Sequence, residues 1–211
     1  RGSGNDIWKR DDNFHFMHQA FTGDLCVTVK VDSLEKTHSR AKAGIMFRES
    51  LDSDARNAAM VQSANKNKRS FQWRADVDAE AQCSKKNGGP PSWVRLRRQG
   101  NTFTGYVSDD DGVYTTVDSV TLADVPATMY VGLAVTAHNK NKLTTGVFSN
   151  LRVDRDCTTT VDDEDTSPDR WLDLSIGLPG GGTEGSHSWD SGVVTVLGSG
   201  DGVGGAEDGF H

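Results

Sequence analysis

Short runs of alternating apolar and polar residues recur along this chain, each bounded by turn-forming residues, and no stretch holds a long helical apolar period. Leu25–Val31 (LCVTVKV), Ala43–Glu49 (AGIMFRE), Asn57–Ser63 and Ser70–Ala75 (SFQWRA) are predicted strands, the last two joined by a lysine-rich turn. Trp93–Gln99 and Thr102–Ser108 flank Gly100–Asn101, a hairpin signal. Val113–Val117, Tyr130–His138 and Thr145–Val153 follow, then Trp171–Gly177 and Gly192–Leu197, with Gly180–Gly185 as a loop. Strands this numerous and evenly spaced predict an all-β, antiparallel two-sheet sandwich or jelly roll.

Asp154–Arg170 breaks the alternation. It is rich in Thr and Asp, nearly without large apolar residues, and reads as an exposed linker. A second irregularity lies at the ends. Gly198–His211 repeats Gly2–His15 without a gap: Gly2, Ser3, Gly4, Asp12, Phe14 and His15 recur as Gly198, Ser199, Gly200, Asp208, Phe210 and His211. The chain therefore reads as a window cut from a tandem array, out of phase with the fold. On this reading residues 1–153 are a sandwich module lacking its opening strands, 154–170 a linker, and 171–211 the opening strands of the next module. Those last strands either serve a neighbour, through Gly192, Val193, Val194, Thr195, Val196 and Leu197 as an inter-module strand, or fold back.

A net charge of −7 argues against nucleic-acid binding, which needs a basic footprint. No apolar stretch reaches membrane-spanning length. The first residue is Arg1 and no signal peptide is visible, which in a window says nothing about secretion. Three cysteines, Cys26, Cys83 and Cys157, form no CxxC pair, so a zinc site is not expected. Cys83 and Cys157 both sit in polar, loop-like sequence and are the candidate disulfide, with three unbridged thiols as the alternative.

The stretch KAGIMFRES (Lys42–Ser50) resembles the signature of the concanavalin A-like family annotated "regulation of enolase" or domain of unknown function. GSGNDIW (Gly2–Trp8), FHF (Phe14–Phe16), SWVRLRRQGNTFTGYVSDDDG (Ser92–Gly112), YVGLAVTAHN (Tyr130–Asn139) and the DLSIGLPGG…GVVTVLGSGDG of Asp173–Gly202 extend the resemblance over nearly the whole chain except the linker. It implies a concanavalin A-like β-sandwich, often an accessory to secreted or cell-surface multidomain proteins and usually not catalytic. The chain departs from the pattern at Phe47, in place of an aliphatic residue, and at Trp73, where a basic residue is common.

Such a sandwich has one concave sheet that in many relatives holds sugars. Arg48, Glu49, Gln72, Trp73, Arg74 and His138 are the candidates to line it. Alternation puts Trp73 on one face and Gln72 and Arg74 on the other, so only one of these sets can face a groove. The competing reading places Arg48 and Glu49 in a buried ion-pair network that fixes the sheet. Glycoside hydrolysis needs two carboxylates on one cleft; no strand carries such a pair, and the chain is expected not to be an enzyme. Asp109, Asp110 and Asp111 are candidate calcium ligands, as are Asp11–Asp12 and Asp162–Asp165, with a solvated hairpin turn as the alternative for DDDG. His15 and His18 sit three apart in strand-like sequence and face opposite sides, so they read as framework rather than metal ligands.

Two function classes follow. The first is a non-catalytic extracellular or cell-surface structural or adhesive repeat, whose partners are neighbouring copies of the same module. A tail inserted into the next copy would make an open head-to-tail filament. The second is a carbohydrate-binding accessory module of a secreted protein acting on polysaccharide.

Overall fold

In the computed structural model, residues 2–4, 6–64, 68–157, 171–176 and 186–197 are described. The second copy of the terminal repeat (198–211), the acidic run 162–165 with most of the linker, and the glycine-rich 180–185 lie outside them.

The strands are β1 (Gly2–Gly4), β2 (Asp6–Trp8), β3 (Asp11–Thr22), β4 (Leu25–Leu34), β5 (Lys42–Arg48), β6 (Asn57–Ser63), β7 (Arg69–Arg74), β8 (Gln82–Lys86) and β9 (Ser92–Gln99). They continue as β10 (Thr102–Ser108), β11 (Thr115–Thr121), β12 (Thr128–Thr136), β13 (Asn139–Thr144), β14 (Gly146–Asp154), β15 (Leu172–Ile176), β16 (Ser186–Asp190) and β17 (Val193–Leu197). One sheet has the order β11-β10-β9-β4-β14-β17-β16 and the other β15-β3-β12-β5-β6-β7-β8; β1 pairs with β13, and β2 pairs with β3. The fold is the expected all-β antiparallel sandwich of jelly-roll type.

The reason is the period-2 alternation. On β4, Leu25, Val27, Val29 and Val31 point inward, and on β9 Val94 and Leu96 do so. They meet Met17, Ile45, Phe47, Met60, Phe71, Val131 and Leu133 of the opposite sheet in one apolar layer. Packing there is tight. A Cβ on Gly105 would lie 2.5 Å from the Phe71 ring and 3.0 Å from the Met60 sulfur. The two-residue loop between Gln99 and Thr102 forms as predicted, with Gly100 at φ +55°.

The eight-stranded sheet has a second apolar cluster on its outer face. Phe14, Phe16, Met46, Ala59, Val61, Ala134 and Ile176 pack there with Ile7 of β2. Segment 6–10 thus lies over that face, and both faces of β3 are buried: Met17 looks inward while Phe14 and Phe16 look outward. The strand-like sequence around His15 and His18 is therefore β3, with bounds Asp11–Thr22.

The strands beyond the linker are used within the chain. β15 pairs with β3, through Leu172 opposite His18 and Ile176 opposite Phe14. β17 pairs with β14, from Val193 opposite Ser149 to Val196 opposite Gly146. The inter-module strand is therefore corrected. Val193, Val194, Thr195, Val196 and Leu197 complete their own sheet, and Gly192, at φ +81°, belongs to the turn joining β16 to β17. Val194 and Val196 are fully buried in the main core, which supplies the driving force for the fold-back.

The predicted Cys83–Cys157 disulfide is also corrected. The bond is Cys26–Cys157, and Cys83 is a free thiol, half-buried on β8. Adjacent strands decide this. β4 and β14 pair with Asp154 opposite Cys26, and the chain turns back at Cys157, at φ +63°, to bring the two sulfurs together. Position in the fold, not loop-like composition, selects the partner.

Candidate functional site

The outer face of the eight-stranded sheet carries rows of side chains set by register. One row runs through Gly132, Met46, Ala59, Gln72 and Cys83, and the next through Tyr130, Arg48, Asn57 and Arg74. The alternative posed by alternation is resolved: Gln72 and Arg74 lie on the outer face. Trp73 points the other way, half-buried against the main core and tilted onto Phe71 at 5.4 Å. Trp73 is therefore corrected as a candidate platform for a ligand on this face; its aromatic area is spent on the edge of the core.

Arg48 and Arg74 form the centre of a buried network. Arg48 Nη1 donates to Asp12 Oδ2 at 3.0 Å, while Arg74 Nη1 and Nη2 donate to Asp12 Oδ2 and Oδ1 at 2.9 and 2.7 Å. Asn57 Nδ2 adds a third donor to Asp12 at 3.1 Å. All four residues are at most 2% exposed. One carboxylate faces two guanidiniums, so backbone carbonyls absorb the remaining donors: Ser50 and Asp52 for Arg48, and Lys9, Ala55 and Ala79 for Arg74. Burial lowers the Arg48 pKa, and Asp12 opposes that shift. This network pins three loops to the sheet and leaves neither arginine free for a ligand. Glu49 is not part of it. It lies just past β5 and pairs with Arg56 at 2.5 and 2.8 Å, which lowers its pKa.

A second polar group gathers where β12 ends and β5 begins. Lys42 Nζ donates to Asp6 Oδ1 at 2.5 Å and to the Ile7 carbonyl at 2.9 Å, and lies 5.7 Å from the centre of the Trp8 ring. His138 Nδ1 is 3.0 Å from Asp6 Oδ2, yet out of line for a hydrogen bond, and has no other hydrogen-bond partner among the described residues. His38 stacks on His138 at 4.4 Å. His138 also holds a left-handed backbone, at φ +49°. Burial lowers the pKa of both Lys42 and His138, with Asp6 pulling each back up.

Gln72 lies one row from Arg48 and Arg74, on the side toward Lys42. It is 4% exposed, and its Oε1 has no hydrogen-bond partner among the described residues. A buried carbonyl oxygen left without a donor costs about 1–3 kcal/mol. Cys83 sits opposite Gln72 in the β7–β8 register. Cys83 is only half-buried, so the Gln72 amide lies one residue in from the margin of the sheet. Of the predicted ligand residues, then, only Gln72 and His138 remain with unsatisfied polar atoms on this face. Asp6, Trp8, Lys42, His38 and Cys83 were missed. Their signal was a lysine inside an otherwise apolar strand, Lys42-Ala-Gly-Ile-Met-Phe.

The calcium candidates do not converge. Asp109 pairs with Arg69, Asp110 Oδ1 accepts from Ser108 Oγ and the Gly112 amide at 3.1 and 2.9 Å, and Asp111 binds Arg152 and Tyr114. Among the described residues no group of three or more His, Cys, Asp or Glu is placed to hold a metal ion.

No family model and no curated protein matches the chain. Solved structures do. A functionally unknown protein from Saccharomyces cerevisiae superposes with a TM-score of 0.57 at 16% identity, over 74% of this chain and 86% of that one. A scytalido-glutamic peptidase, solved with a transition state analog inhibitor, superposes at 0.50 and 9% identity, over 88% and 98%. The carbohydrate-binding module CBM66 from Bacillus subtilis gives 0.43 at 18% identity, over 64% and 76%. At these identities the likeness is one of fold. It nonetheless overturns the expectation that the chain is not an enzyme. That expectation equated the sandwich with an accessory module and tested only for a glycosidase carboxylate pair, and a peptidase is built on the same fold.

Proposed function

We propose that the chain binds a glycan on the outer face of its eight-stranded sheet, beside Trp8, Lys42, His138 and Gln72. The observation that carries the reading is the Gln72 Oε1, a buried acceptor without a donor among the described residues. A sugar hydroxyl supplies that donor. The other requirements of sugar recognition stand on the same face, two strands and two rows away around Lys42: an indole for the apolar face of a pyranose, and a carboxylate, an ammonium and imidazoles for its hydroxyls. The Cys26–Cys157 bond supports an extracellular or cell-surface location, where disulfides persist. Completion of neighbouring modules has no part in this reading, because β15 and β17 already serve their own sheets.

The test is a glycan array probed with the full chain and with Trp8→Ala and Gln72→Leu. Binding by the parent chain, lost in both variants while the disulfide stays intact and neither variant unfolds at a lower temperature than the parent, is the expected result. Equal binding by all three proteins, or capture of peptides from a matched peptide array in place of glycans, would sink the proposal.

A further inference from the structure

We infer that the ligand of this face is an acidic polysaccharide, a glycan carrying carboxylates; the inference rests on the glycan-binding reading above and deepens it. The chain as a whole is acidic, at −7. One end of the eight-stranded sheet is the opposite. Lys36 and Arg40 lie in the loop that leads into β5, Lys68 in the β6–β7 turn, Lys85 and Lys86 at the end of β8, and Lys142 on β13. Register brings these positions together. Arg69 is opposite Lys86 and Ser70 opposite Lys85, while Ala64 after β6 donates its amide to the Ala41 carbonyl before β5 at 2.9 Å.

None of the six cations makes an ion pair among the described residues, and Lys36, Arg40, Lys68, Lys85 and Lys142 are exposed. Of the acids at the same margin, Asp6 is paired with Lys42 and Asp109 with Arg69, while Glu35 and Asp110 bond only neutral donors and keep their charge. Six cations face two uncompensated acids there, so the margin carries net positive charge at the Lys42 end of the face that holds Gln72. From β5 to β8 it runs across three strand spacings, about 15 Å. That is the span of an extended oligomer, not of a single sugar. Exposed charges of this kind act mainly by steering and by sorting partners. Here they select against neutral glycans and in favour of polyuronates. A nucleic acid would meet the same cations, but the polar groups behind the rim suit a sugar ring, and the oligonucleotide arm of the experiment separates the two.

The experiment uses one backbone with and without charge. The full, disulfide-intact chain is titrated with homogalacturonan oligomers, de-esterified or fully methyl-esterified, at 50 and 300 mM NaCl. The de-esterified oligomer is expected to bind about tenfold tighter at low salt and to lose most of that advantage at high salt. The double variant Lys68→Glu/Lys85→Glu, altered only at exposed positions, is expected to lose about tenfold affinity for the charged oligomer and little for the esterified one. Equal or tighter binding of the esterified oligomer, with the double variant unaltered, overturns the acidic-ligand inference and leaves glycan binding standing. Equal affinity for a single-stranded oligonucleotide overturns it as well. Failure of both oligomers and of every glycan on the array removes both readings.

Discussion

Replacing Gln72 by leucine tests the central observation through stability as well as binding. The side chain is 4% exposed, and its Oε1 lacks a donor among the described residues. Leucine fills a similar volume and has no acceptor to desolvate. The relief expected is the penalty for one unsatisfied neutral group, about 1–3 kcal/mol. For a domain of this length 1 kcal/mol moves the midpoint by roughly 2–4 °C, so a gain near 2 kcal/mol raises Tm by about 4–8 °C. Binding on the same face should fall below detection. Stability gained where function is lost is the signature of a polar group kept for a ligand. The assay is thermal and urea unfolding of both proteins with the disulfide intact, alongside the glycan titration. A lower Tm for Gln72→Leu refutes the reasoning, because it means that the amide oxygen holds a structural contact in the free protein.

Asp12→Asn should destabilise the fold by about 3–5 kcal/mol in urea unfolding, since it leaves two buried guanidiniums sharing a neutral acceptor. Alkylation of the native chain should label one thiol, Cys83, and a non-reducing peptide map should recover Cys26 joined to Cys157; replacing Cys157 by serine should cost about 2–5 kcal/mol. The pH dependence follows from His138, whose folded pKa lies below the 6.5 of the free side chain because burial disfavours its charge. The folded state then binds fewer protons than the unfolded one, so stability falls as pH drops from 6.5 through the folded value and is regained above 6.5. The charges facing His138 are Asp6, His38, Lys42 and Arg40, and a His138→Gln chain should show a flatter stability profile between pH 5 and about 6.5 than the parent in chemical denaturation. Gly105→Ala should cost about 1–3 kcal/mol by the same measurement, because its methyl would press on Phe71 and Met60 in the main core.

How much of the site was legible follows from which interactions are local. Gln72, Arg74 and Arg48 were chosen from strand position, and the odd-even rule said that Trp73 must oppose Gln72. It could not say which face looks inward. That depends on the pairing of β6 with β7 and on the whole sheet meeting β4, β9 and β10 across the core. Sequence alone offers Asp12 as a candidate cation ligand and as one residue of the terminal repeat. Its role as the anion between two arginines needs β3, β5 and β7 side by side, at separations of 36 and 62 residues. The Asp6–Lys42–His138 group is equally non-local, and nothing in the spacing of those three residues announces it.

By itself the sequence determined the all-β class, most strand positions and the Gly100–Asn101 hairpin, because alternation and turn chemistry are properties of a few neighbouring residues. Burial on both faces did not hide it: β5 and β6 are buried throughout and are predicted strands all the same. Tertiary structure alone decided the partner of Cys157, the use of β15 and β17 within their own sheets, and the conversion of Arg48 and Arg74 from candidate ligand residues into a buried pin. Each of these depends on which strands become neighbours, and that choice belongs to the burial of the whole apolar surface rather than to any one segment.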